Sequence, residues 1–180
     1  MMVKAGTFPV PPRTPSEPHV GMRTPWGTAD SVRKIGSGIH EVSTPGHGGI
    51  KLGRYQNGRV HEAWRSKGGW YEEDCEYAIV GLTFGTDAGF SIAQQEDCRS
   101  LCKNYFPDAY EAIYGVRVTA EESHVVRERE AKARAKGQLQ VIACWGDWAS
   151  NVPKGMVGVC ATIDGVRNGT AEDRYFLITE

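Results

Sequence analysis

Apolar and polar positions alternate along Gly38-Ile39-His40-Glu41-Val42-Ser43, and the alternation resumes at Gly49-Ile50-Lys51-Leu52 after Thr44-Pro45-Gly46-His47-Gly48. A period of two marks a half-buried strand, so the pattern predicts two short strands joined by a glycine-rich loop. Upstream, Thr24-Pro25-Trp26-Gly27 combines a fixed φ, a turn glycine and an indole anchor, and order is expected to begin there. Downstream, Gly58 to Arg65 reads as a short helix carrying Trp64 and ended by Lys67-Gly68-Gly69.

Glu72, Glu73 and Asp74 precede a dense apolar run through Tyr77, Ala78, Ile79, Val80, Leu82 and Phe84. Carboxylates ahead of apolar content suit the positive end of a buried helix, with a buried strand as the alternative. A second helix is predicted from Ser91 to Phe106, with Ile92, Cys98, Leu101, Cys102 and Tyr105 on or near one face. Pro107-Asp108 restarts a short helix that ends at Gly115. Thr119-Ala120-Glu121-Glu122 has capping-box spacing and predicts a helix reaching Lys136-Gly137, with Glu128/Lys132 and Glu130/Arg134 paired one turn apart. That helix is thinly apolar.

Three strand-like segments close the chain: Gln138 to Trp145, Met156 to Ile163 and Tyr175 to Thr179. The turn-rich links at 151–155 and 164–169 make a β-meander of them. The expected fold is α+β, a single domain over residues 23–180, with an antiparallel sheet, a C-terminal β-meander and helices packed on one face. Residues 1–22 hold five of the nine prolines, at 9, 11, 12, 15 and 18, and almost no large apolar residue. They read as a disordered proline-rich leader, with a polyproline ligand as the lesser alternative.

Composition narrows the class. Apolar residues make up 40% and charged residues 24%, an ordinary balance for a folded domain. A formal net charge of -1 supplies no global field for holding a polyanion. No apolar run approaches the roughly 18 residues that span a bilayer, and no secretory apolar segment is present, so a cytoplasmic protein without membrane association is expected. The odd set Cys75, Cys98, Cys102, Cys144 and Cys160 points to reduced thiols.

His47 is the first catalytic candidate, because a histidine on a glycine-rich loop is open to a ligand; the same glycines also serve simply to turn the chain. Cys75 could act as a nucleophile if His47 or His61 lay beside it, but the carboxylates around it oppose thiolate formation. Glu72 and Glu73 could share acid–base work with His47, or ligate a hard metal ion with His47, His61 or His40. Nothing in their spacing fixes an ion, and a solvated helix start is the simpler account. No metal or cofactor is expected. Cys98 and Cys102 lack two further zinc ligands and read as core. Arg129, Lys132 and Lys136 fall on one helical stripe, diluted by neighbouring glutamates, and Trp145 and Trp148 flank a turn. These five are the binding candidates.

The segments Thr24-Pro25-Trp26-Gly27, His47-Gly48-Gly49, Gly68 to Glu76, Pro107 to Glu111, Val152 to Val159 and Arg174 to Leu177 together resemble an uncharacterised domain family of phage and plasmid accessory proteins. The resemblance covers residues 24–180 and brings no catalytic residue with it. It implies a setting, in which small proteins of mobile elements bind host or defence components such as restriction and CRISPR machinery. The leading expectation is accordingly a non-enzymatic inhibitor-like protein that binds a host or defence protein. A hydrolase or transferase centred on His47, with Cys75 or the glutamates, is the alternative. Nucleic-acid binding through the 119–136 helix comes third.

Overall fold

The computed structural model describes residues 17–165 and 173–179. Two compact units divide the chain, one ending at Arg117 and one spanning Val118–Glu180.

The first unit opens with a hairpin of β1 (Arg23–Thr24) and β2 (Gly27–Thr28). Pro25 and Trp26 form its turn. The Thr24 hydroxyl donates to Gly27 O at 2.9 Å and accepts from Trp26 N at 3.1 Å, which holds the indole in place. Residues 1–16 of the expected leader lie outside the described residues. Bonding begins ahead of Thr24: Gly21 N donates to Ala29 O and Ala29 N to Met22 O.

A four-stranded antiparallel sheet follows in chain order, from β3 (Ser31–Gly36) and β4 (Ile39–Ser43) to β5 (Gly48–Leu52) and β6 (Trp70–Glu72). The predicted pair is β4 and β5, in the register Val42 to Gly49 and Ile39 to Leu52. Between β5 and β6 lies α1 (Arg54–Arg59), ahead of the expected 58–65 helix. None of its residues is buried, so it leaves no apolar period to read, and Val60 already has extended backbone.

Helix α2 (Tyr77–Phe84) packs on β5 and β6 and buries Ala78, Ile79, Val80 and Phe84. The expected acidic first turn is absent: Glu72 ends β6, and residues 73–76 turn into the helix. Gly81 lets α3 (Ile92–Tyr105) approach, because a Cβ there would collide with Cys98 Sγ and press on the Phe90 ring. Ser91 caps α3 through a reciprocal pair, with Gln94 N donating to Ser91 Oγ (3.2 Å) and Ser91 N to Gln94 Oε1 (2.9 Å). The buried stripe of α3 is narrower than predicted. Cys98 and Cys102 fill it, while Ile92, about 120° round the helix from Cys98, is 72% exposed. Burial raises the thiol pKa to about 11 at Cys98 and about 12 at Cys102, so both remain protonated core groups. Pro107 opens α4 (Pro107–Tyr114) and Gly115 closes it with left-handed backbone.

The second unit holds α5 (His124–Arg134) and the predicted meander of β7 (Leu139–Trp145), β8 (Met156–Ile163) and β9 (Arg174–Thr179). Helix α5 starts later than Thr119, because Ser123 takes the capping role and accepts from Val126 N at 3.3 Å. Thr119 and Glu122 form only half a box, the Glu122 carboxylate accepting from Thr119 N at 3.1 Å. Part of the predicted 164–169 turn, residues 166–169, lies outside the described residues. The class is α+β with antiparallel strands throughout, arranged as sheets of two, four and three strands. No described helix is long and apolar enough to cross a membrane.

Candidate functional site

The β4–β5 turn is built around Thr44. Its backbone N (2.7 Å) and its hydroxyl (2.8 Å) both donate to His47 O, and the hydroxyl accepts from His47 N at 3.2 Å. Three hydrogen bonds therefore fix the residue that carries the imidazole, while the ring stays 60% exposed. The two glycines that follow answer to packing. A Cβ at Gly49 would meet the Trp26 indole at 2.5 Å and collide with Tyr71 O, so β6 and the β1–β2 turn close over this point only because it is bare.

Just past the end of β6, Glu73 N donates to Gly48 O at 3.1 Å. That bond carries the Glu73 carboxylate to His47, where Oε1 lies 4.0 Å from Nδ1. Glu72 completes a triangle whose ligand atoms all lie within 4.8 Å of one another. Among the described residues this is the one His, Cys, Asp and Glu group with that spacing. The separation exceeds a hydrogen bond, yet a small side-chain rotation closes it, so the group can pass a proton or accept a divalent cation.

Cys75 stands outside the triangle. Burial first, then the charges of Glu72, Glu76 and Asp74, raise its thiol pKa, which opposes thiolate at neutral pH. The neighbouring acids are occupied in shaping the turn: Glu76 Oε2 accepts from Glu72 N (3.1 Å) and Glu72 Oε2 from Asp74 N (2.8 Å). Glu73 also edges an open cleft of about 590 Å³, whose walls include Arg33, Glu41, Tyr77, Phe90 and Gln94. Arg33 and Glu41 pair across β3 and β4 at 2.7 Å.

The binding candidates lie in the second unit. Helix α5 has no buried residue. Lys132 pairs with Glu128 at 3.8 Å and Arg134 with Glu130 at 3.6 Å, as the spacing predicts. Arg129 and Lys132 are on the helix; Lys136 falls beyond its end at Arg134 and so leaves the predicted stripe. The two indoles separate. Trp148 is 82% exposed, whereas Trp145 is half-buried and sits edge-on to Tyr175 with centroids 6.3 Å apart.

Sequence reading missed the most exposed apolar element. All six residues of β9 are exposed, with Phe176 at 43% and Leu177 and Ile178 each at 51%. Its unbroken apolar run, read by composition, suggests a buried strand. The absence of alternation was the available signal that neither face is committed to a core.

Neither the curated proteins nor the solved structures return a match. Residues 19–136, from the approach to β1 through α5, match a family model described as a domain of unknown function, DUF7007. His47, Glu72 and Glu73 fall inside that span and the meander falls outside it, and on this match the chain belongs to the DUF7007 family.

Proposed function

We propose that the chain is an accessory binding protein that captures a partner protein through its second unit, with a strand of the partner adding to the outer edge of β9. The observation that carries this reading is the exposure of β9 along its whole length. Among the described residues β9 is joined to β8 alone, so its other edge can accept a further strand. Exposed apolar side chains on an open edge are a hazard to a free protein and an asset to a docked one. Helix α5 and Trp148 supply further exposed groups for a rim. The resemblance to phage and plasmid accessory proteins gives the class of partner: a host or defence-system protein, held in the manner of an anti-restriction or anti-CRISPR inhibitor.

The test is affinity capture from a bacterial host using the full chain and the double variant Phe176→Lys/Ile178→Lys. A stoichiometric partner retained by the parent and lost by the variant, with far-ultraviolet circular dichroism unchanged, supports the reading. A partner held equally by both removes β9 from it.

A second reading rests on the 4.0 Å approach of His47 to Glu73 beside the cleft. There His47 would act as general base or acid in a hydrolase or transferase, with Glu73 orienting its ring and Cys75 taking no part. Turnover of ester, amide or phosphodiester substrates, lost in His47→Ala, would establish it; turnover indifferent to His47 would end it.

A further inference from the structure

His40, Lys51 and Trp70 stand in one row across β4, β5 and β6, since His40 pairs with Lys51 and Lys51 with Trp70. His40 is only 5% exposed. His40 lines a cavity of about 480 Å³, within the usual range for a small-ligand site.

The rest of the wall is cationic. Lys51, Arg54 and Lys67 line it, and Glu17 is its one carboxylate. Lys51 is held in place, donating to Gly68 O at 2.5 Å with its ammonium 5.0 Å above the Trp70 ring. Burial lowers the Lys51 pKa, so this charge is partly stripped of water and gains from an incoming anion. Arg54 and Lys67 are exposed and form no ion pair with a described carboxylate. Gly68 and Gly69 bring bare backbone to the same wall. At Gly69, φ is +67° and a Cβ would meet Leu52 O at 2.8 Å, so the position has no room for a side chain.

We propose that this cavity binds a small phosphate-bearing ligand of about mononucleotide size, with Arg54 and Lys67 gripping the phosphate and the His40 ring meeting a polar atom of the ligand. Guanidinium and ammonium groups give short, charge-assisted bonds to phosphate oxygens, and bare glycine backbone lets such a group come close. Glu17 occupies the wall as an internal competitor for the same cations. The site lies in the first unit and is independent of partner capture by β9.

The test is a titration of the full chain with inorganic phosphate, AMP and ATP, followed by NMR. The His40 ring signal is assigned from a His40→Gln variant. A saturable shift of that signal and of the Gly68 and Gly69 amides is expected. Arg54→Glu and Lys67→Glu should each weaken binding about tenfold with the amide spectrum otherwise preserved. Glu17→Gln should tighten it. Tighter binding of AMP than of inorganic phosphate would place the nucleoside in the cavity, and equal binding would identify the phosphate as the recognised group. A response that never saturates, or affinities untouched by both charge reversals, overturns the proposal.

Discussion

The Glu73 carboxylate occupies the space that Gly48 leaves open: a Cβ on residue 48 would stand 2.5 Å from Glu73 Oε2. Placing Glu73 beside His47 therefore depends on a glycine 25 positions earlier. Gly48→Ala should swing the flexible carboxylate away from the imidazole at a cost below about 1 kcal/mol. At Gly49 the obstructing groups are the Tyr71 backbone and an indole, which cannot swing aside, so Gly49→Ala should cost about 1–3 kcal/mol. Urea denaturation gives both values, and the His47 ring signal in NMR reports whether Glu73 has moved. Equal costs at the two positions would contradict this division.

Burial at Cys98 and Cys102 makes stability depend on pH in the alkaline range. Their folded pKa values, about 11 and about 12, lie above the unfolded value of about 8.5–9. The unfolded chain therefore loses these protons first, and the stabilisation is fully present below about pH 8.5 and declines as pH rises toward 11 and 12. Tyr71, also raised chiefly by burial, adds to the same decline above about pH 10. Denaturation midpoints measured from pH 8 to 10.5 should fall steadily, and Cys98→Ala/Cys102→Ala should flatten the slope. Both thiols should resist alkylation until the chain unfolds.

Helix α5 distinguishes two rival start signals. Ser123→Ala removes the observed cap and should cost about 1 kcal/mol. Thr119→Ala should cost less than half as much, because the bonds between Thr119 and Glu122 use the Thr119 backbone, which alanine keeps, and its side chain meets only the exposed Glu121 carboxylate. Thermal denaturation of the two variants decides between them; a larger effect at Thr119 would return the helix start to the earlier box.

The two tryptophans of the β7 turn should behave differently. Trp148→Ala should alter stability by no more than about 0.5 kcal/mol, as befits a side chain 82% exposed. Trp145 lies over Gly158, where a Cβ would come within 2.6 Å of its ring, and edge-on to Tyr175. Trp145→Ala should cost about 2 kcal/mol or more. A comparable loss at Trp148 would show that its indole is covered in solution.

Much of the fold was legible where one face of an element is buried. The alternation around Ile39 and Val42, the apolar run of α2 and the meander all appear at or within a residue or two of their predicted places. The misses share a cause. Strand β3 is half exposed without a regular period, β6 is three residues long and α1 buries nothing, so none writes a hydrophobic pattern. At Thr119 a genuine capping motif lost to a serine nearer the helix. His47, Glu72 and Glu73 were visible as residue types, but their meeting depends on β5–β6 pairing across the α1 segment. Local sequence does not encode that pairing. His40 was read only as one possible ligand to a metal ion, because its burial and its cationic neighbours come from register.

The chain-order arrangement of β3, β4, β5 and β6 has a kinetic consequence. The first two pairings close short hairpins at little cost in chain entropy, whereas β6 must close a loop from Leu52 to Trp70. Folding should therefore be sequential. In pulse-labelled hydrogen exchange, protection is expected in the β3–β4–β5 hairpins before Tyr71, and simultaneous protection would exclude that order. The Glu73 carboxylate would then be among the last groups to arrive at His47, assembled only when the final strand docks.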